Sequence, residues 1–197
     1  MFQRVRLRGW SGLYSSLKYN LYRRERVIRL EVDLDHWQPL AETPASLEIR
    51  REALGELIRF RETWTGGSLP EDFYVDKVFG LSRVWLGIWE SNVAHIAWIT
   101  SEIATVNVPL EHGCVELRNC YTLAAYRGRR IGSHVISAIL EDLKREGVST
   151  VVTHVQEDNT SSLKMMARVG FQAVETLTLT RIVGFGQLCR KPYAEVK

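Results

Sequence analysis

The stretch AAYRGRRIGSHVISAIL, residues 124–140, sets three arginines and two glycines where a strand-like run gives way to an amphipathic helix. Ile131, Val135, Ile136, Ile139, Leu140 and Leu143 recur at helical spacing and define one apolar face. The pattern predicts a helix over about 130–146, stopped by Gly147. A helix N-terminus offers unpaired N–H groups and the positive end of the dipole, and both suit an anion. Gly128 and Gly132 remove side chains where a phosphate must approach the backbone, and Arg127, Arg129 and Arg130 supply matching charge. These residues predict a pyrophosphate cradle, with Arg130 in an ordinary right-handed first turn. The spacings of a P-loop and of a GxGxxG dinucleotide turn are both absent. A basic turn without a ligand is the plainer alternative.

Upstream, RVIRLEVDL (26–34) alternates apolar and polar residues and reads as a strand. Leu47, Leu54, Leu57, Ile58 and Trp64 follow a Thr-Pro start and suggest one or two helices, and TGGSLPED (65–72) reads as a loop. RVWLGIW (83–89) and VAHIAWIT (93–100) read as strands joined by a tight turn, and CVELRNCYTL (114–123) as another. Downstream come a strand at 149–156, a short helix ending at Gly170 and a closing pair of strands over 171–188. The expected order is β-α-β-β-β-α-β-α-β-β. It implies a mixed α/β (α+β) fold with a central, mostly antiparallel twisted sheet flanked by helices. One domain is expected over 26–197, behind a basic helical extension over 1–25.

The chain of 197 residues is 45% hydrophobic, ample for a core. Residues 1–30 hold eight cations against Glu25 alone, a net of +7 in a chain whose total is +3. Such a segment suits a solvated face or a peripheral membrane contact, and no nucleic-acid motif accompanies it. Cys114, Cys120 and Cys189 fit no metal or redox spacing, so no metal is expected and the thiols read as reduced in a cytoplasmic setting. The basic N-terminus lacks the apolar run of a secretion signal, and no run is long enough to span a membrane.

Two blocks resemble the GNAT acetyltransferases, which use acetyl-CoA. The family signature Q/R-x-x-G-x-G/A reads here as Arg127-Gly128-Arg129-Arg130-Ile131-Gly132, behind YTLAAYRG. The second block is VQEDN followed by SSLKMMARVGF. The resemblance covers about 72–185. It implies that the pantetheine arm of acetyl-CoA lies between the strands over 114–123 and 149–156, paired with backbone groups of Tyr121 and Leu123. An N–H near Tyr121 or Thr122 polarises the thioester carbonyl in this reading. Arg127, Gly128, Arg129, Arg130, Ile131, Gly132 and Ser133 hold the pyrophosphate, with Asn159 and Ser162 beside the arm. Two positions depart from the family pattern: Arg130 replaces a glycine, and Met166 stands where many members carry a proton-donating tyrosine. A thioether has no proton to give.

Transfer to an amine also needs a base, because an alkylammonium titrates near ~10. Glu116 lies eleven residues before Arg127, at the offset where some members place a catalytic glutamate. A period of two puts Glu116, Arg118, Cys120 and Thr122 on one face. A salt bridge to Arg118 or a solvated strand position is the plainer reading of Glu116. Glu111, His112 and His154 are the other candidates; His154 and His95 read as packed strand residues. Cys120 reads as a small buried hydrophobe rather than a covalent nucleophile. The expected activity is transfer of acetyl from acetyl-CoA to a primary amine, on a small molecule or a peptide, by direct attack. Transfer of a longer acyl chain or to a hydroxyl, and a non-catalytic acyl-CoA-binding domain, are the alternatives. Acceptor identity and oligomeric state, monomer or homodimer, are open.

Overall fold

The computed structural model describes residues 22–40, 42–102, 110–182 and 185–194. Its elements run β1 (Tyr22–Asp33), β2 (Leu47–Arg50), α1 (Leu54–Thr63), α2 (Val75–Phe79), β3 (Val84–Trp89), β4 (Asn92–Thr100) and β5 (Cys114–Thr122). They continue as α3 (Ile131–Arg145), β6 (Thr150–Gln156), α4 (Thr160–Arg168), β7 (Gln172–Ile182) and β8 (Phe185–Pro192). The architecture is mixed α/β with a mostly antiparallel sheet, as the sequence predicts. Contacts cluster into two compact units. The larger spans 30–154 and 160–172; the smaller, among the described residues, holds 22–29, 155–159, 173–182 and 185–194.

In the larger unit the strand order is β2-β3-β4-β5-β6, antiparallel except for the β5–β6 pair. The β3–β4 turn follows from two residues. Glu90 (φ 47°) and Ser91 (φ 70°) are both left-handed between the paired Trp89 and Asn92, the geometry whose twist matches a two-residue hairpin. The expected helix over the region of Leu47 begins instead at Leu54. Leu47–Arg50 is a short strand paired with Trp89–Leu86, because Leu47 and Ile49 alternate with polar neighbours and Glu52 (φ 46°) turns the chain before α1. A 3-10 turn and α2 occupy 71–79, where the sequence pattern predicts no helix.

Each face of this sheet is covered. On one, Leu57 of α1 and Phe73 and Val75 behind it pack on Val84, Leu86, Ile96 and Trp98. On the other lies α3, whose six predicted core residues are all buried. Asp142 fixes the helix there: its buried carboxylate accepts from Trp85 Nε1 at 3.2 Å and pairs with Arg51 at 2.8 Å and Arg145 at 3.0 Å. Burial still pushes its pKa up.

In the smaller unit β7 and β8 pair antiparallel from Glu175↔Pro192 to Ile182↔Phe185. Part of the basic N-terminal run is neutralised there, with Arg26 on Glu157 (3.0 Å) and Arg29 on Glu175 (3.7 Å). Strand β1 opens at Tyr22, four residues before the expected strand, and the rest of the expected helical extension lies outside the described residues.

Gly87 lets α3 settle onto the sheet. A Cβ there sits 2.8 Å from Val135 Cγ2 and 3.2 Å from His95 Cβ. Gly87→Ala is expected to lower stability by about 1–3 kcal/mol through overpacking. In chemical denaturation, the Gly87→Ala/Val135→Ala pair should cost less than the sum of the two single changes.

Candidate active site

The site begins where two strands part. The parallel ladder joins Cys114, Val115 and Glu116 to Thr150, Val151 and Val152, and β5 runs on to Thr122 beyond it. Glu116 is the last ladder residue of β5. His154 stands two residues past Val152, on the same face of β6 as Val152. Its Nδ1 meets Glu116 Oε1 at 2.6 Å, with the two side chains 3% and 0% exposed. The structural partner of Glu116 is therefore His154, not the Arg118 that the strand pattern suggests.

Beyond Glu116, β5 bulges. Trp98 faces Arg118 and Ile96 faces Tyr121, so two residues of β4 span three steps of β5. Asn119 takes up the extra residue with φ 50°, and its Nδ2 donates to Asp72 Oδ1 at 3.2 Å. The bulge corrects the expected face. Glu116, Arg118 and Tyr121 lie with Thr100, Trp98 and Ile96, whereas Thr122 pairs with His95 on the face toward α3. The Asp72 carbonyl accepts from Trp98 Nε1 at 2.9 Å, which ties the 71–74 turn to this face.

The end of β5 leads into the basic turn. Leu123 does not offer the backbone edge expected of it. Its N–H donates to the Ala94 carbonyl at 2.9 Å, and its carbonyl accepts from Tyr126 N–H at 2.9 Å. Arg127 folds back over β5, with Nε on the Thr122 carbonyl (3.1 Å), Nη2 on Tyr121 Oη (2.9 Å) and the guanidinium over the Tyr121 ring. Arg129 stacks on Trp89, 5.3 Å from the ring centroid. The Arg130 guanidinium alone of the three has no hydrogen bond, ion pair or ring contact with a described residue. Its charge reaches His134, whose pKa is lowered first by burial and then by Arg130.

Arg130 is also where the expected backbone is wrong. Its φ of 59° and ψ of 15° are left-handed, so the position where the family carries glycine still demands glycine geometry. A left-handed residue followed by the right-handed Ile131 turns successive N–H groups inward as an anion-binding nest, and no side chain caps the helix. Gly128 (φ 80°) serves the same turn by conformation, since a Cβ there would stand in open space. Gly132 serves packing instead: a Cβ there lies 2.7 Å from Met165 Sδ and 3.1 Å from His95 Cε1. Beneath this first turn, Ser133 Oγ and His95 Nε2 are buried without hydrogen-bond partners among the described residues. An uncapped nest over orphaned polar atoms fits a phosphate group.

Other expected residues separate clearly. Met166 is 2% exposed and belongs to the core. Burial, with Asp72's charge added, pushes the Cys120 thiol up, against a nucleophilic role. Glu111 and His112 are exposed in the turn before β5, at the opposite end of that strand from Tyr121. Asn159 lies in the turn after β6, its N–H on the Gln156 carbonyl at 2.9 Å, and Ser162 is half-buried on α4. Three features escape the sequence pattern: the Asn119 bulge, the Glu116–His154 pairing and the contact of His95 Nδ1 with Thr122 Oγ1 at 2.8 Å.

Residues 52–171 match the model of the acetyltransferase (GNAT) family. The chain belongs to that family. No curated protein sequence matches it. Among solved structures it is similar to a Drosophila protein (12% identity, TM-score 0.59, covering 90% of this chain and 58% of that one). A GCN5-related N-acetyltransferase from Sphaerobacter thermophilus matches at 15% identity and TM-score 0.56, covering 92% and 56%. A second from Kribbella flavida matches at 15% and 0.52, covering 86% and 63%. The chain thus spans 56–63% of the length of these structures, and at such identities the likeness is one of fold.

The GNAT turn and the histidine beneath it can each be tested through stability. Burial lowers the His95 pKa to about 3, so the folded state refuses a proton that the unfolded chain accepts below about 6.5. Stability is complete above pH 6.5 and falls toward pH 3. Against pH 8, the loss at pH 5 from this one group is about 2 kcal/mol. Denaturation of His95→Gln at both pH values should show a pH-dependent loss smaller by that amount. Arg130→Gly should raise stability by up to about 1 kcal/mol, the left-handed strain relieved less the added entropy of glycine in the unfolded chain. Thermal melting checks the direction.

Proposed function

We propose that the chain is an N-acetyltransferase that moves an acetyl group from acetyl-CoA to a primary amine by direct attack. The observation that carries this reading is the parting of β5 and β6 at Glu116 and Val152, with a buried carboxylate–imidazole pair at its apex and the anion nest at the end of β5. Acetyl-CoA supplies the activated thioester. The N–H groups that open α3 and Arg130, which has no partner among the described residues, hold its pyrophosphate, while Arg127 and Arg129 shape the turn. The β5 backbone at Tyr121 and Thr122 orients the arm and directs an N–H at the carbonyl oxygen. Such a donor is worth roughly 2.7–4 kcal/mol in acyl transfer.

Base work falls to Glu116 and His154 together. A carboxylate at Glu116 accepts the Nδ1 hydrogen of His154, fixes the ring and leaves the Nε2 lone pair for a proton of the amine. Glu116 is fully buried, so it acts through the ring, in a refinement of its expected role as the direct base. Buried Met166 offers no proton to the departing thiolate, which leaves protonation to water.

Acetyl-CoA should raise the melting temperature of the wild type, and Arg130→Gly should weaken that shift while raising the unliganded melting point. His154→Gln should lower kcat about 10²–10⁴-fold, with CoA affinity by calorimetry unchanged. Glu116→Gln should lower kcat less. CoA binding with no transfer to any amine would assign the chain to the non-catalytic acyl-CoA binders.

A further inference from the structure

Arg118 is a cation on β5 that no acid among the described residues answers. It lies on the Glu116 face of β5, two residues from the apex pair, and is half-buried. Its Nε donates to Asn119 Oδ1 at 3.2 Å, and its guanidinium stacks 4.7 Å from the centre of the Phe79 ring. Those contacts fix the plane of the group and leave both terminal nitrogens without a hydrogen bond or ion pair among the described residues. The nearby acid does not neutralise it. Asp72 reaches the cluster through Asn119 Nδ2 and forms no ion pair with Arg118. Phe79 itself is 58% exposed, so this edge of the site is open.

A cation that is half removed from water and held flat presents a two-pronged donor to an oxyanion. Arg61, in the same unit, shows the contrast: it is spent on Asp76 through two hydrogen bonds of 3.0 and 2.6 Å. Placement adds a second constraint. In the acetyl-transfer reading the acyl donor enters the β5–β6 parting from the α3 end, which leaves the face that carries Glu116, Arg118 and Tyr121 for the amine. One residue type on that face takes a proton and another awaits an anion.

We infer that Arg118 is a specificity-determining residue that binds an oxyanion carried by the acceptor itself, so that the acceptor is an amine bearing a carboxylate or a phosphoryl-type group. The inference rests on the acetyl-transfer reading for the amine, but the anion contact stands on Arg118 alone. The acceptor class is that of free amino acids and related anionic amines rather than polyamines or neutral amino sugars.

The test uses the full chain and paired probes: glycine against glycinamide, 6-aminohexanoate against 6-aminohexanamide, and aminomethylphosphonate as the phosphoryl arm. Wild type should show kcat/KM about 10–100-fold higher for one or more anionic amines than for the neutral partner, as expected for hydrogen bonds to a charged group. The better of the carboxylate and phosphonate arms identifies the anion. Arg118→Gln should abolish that preference by raising KM for the anionic amines, with CoA affinity unchanged, and Arg118→Lys should restore part of it. Equal use of neutral and anionic partners by the wild type, or equal loss on both in Arg118→Gln, overturns the inference. The same probes titrated into the CoA complex by calorimetry separate the two claims. Arg118-dependent binding of the anionic amines without turnover sinks only the acetyl-transfer reading; no such binding sinks the anion contact.

Discussion

Everything at this site depends on two neighbouring strands ceasing to pair. A parallel ladder satisfies backbone groups on both strands, and leaving it exposes them in a part of the fold that is otherwise covered on each face. The ladder here ends at Glu116 and Val152, and a buried ion-type contact between Glu116 and His154 closes the apex. Such a pair is a poor source of stability, since desolvation consumes most of the attraction. Its better use is geometric. One hydrogen bond holds an imidazole still where the ladder between the strands ends.

The bulge at Asn119 is the second device, and it explains why the sequence misleads at this strand. Alternation over CVELRNCYT is read correctly up to Arg118, and one left-handed asparagine then reverses it. Nothing in the residue types marks that position, because asparagine is equally at home in a turn or on an exposed strand. The helix over 131–145 is legible for the opposite reason. Its apolar face repeats through four turns, and Gly147 ends it in the left-handed conformation that glycine alone adopts freely. Leu47–Arg50 is not legible, since four residues carry too few repeats to tell a strand from the start of a helix. The Glu116–His154 contact spans 38 positions and belongs to the fold rather than to any local pattern.

The three arginines of the basic turn divide their labour in a way that composition alone does not reveal. Two are held on aromatic rings, Arg127 on Tyr121 and Arg129 on Trp89, where the flat guanidinium adds packing as well as charge. They stiffen the approach to α3. Arg130 is placed in a strained backbone conformation, and its side chain has no partner among the described residues. Strain of that kind persists only where the surroundings enforce it, and it clusters where a chain handles a ligand.

The same reasoning distinguishes the two histidines that face the sheet. His95 lies under the helix that opens the nest, where burial alone lowers its affinity for a proton to a pKa of about 3, so it is neutral near pH 7. It contributes shape and its contact with Thr122 Oγ1. His154 differs in one respect: the Glu116 carboxyl meets its ring at 2.6 Å and fixes its orientation. Of two buried imidazoles on the strands that flank β5, only His154 meets an acid among the described residues, and the proposed transfer for that reason assigns it the proton of the amine. The division between scaffold and chemistry proposed for this site follows from that single contact.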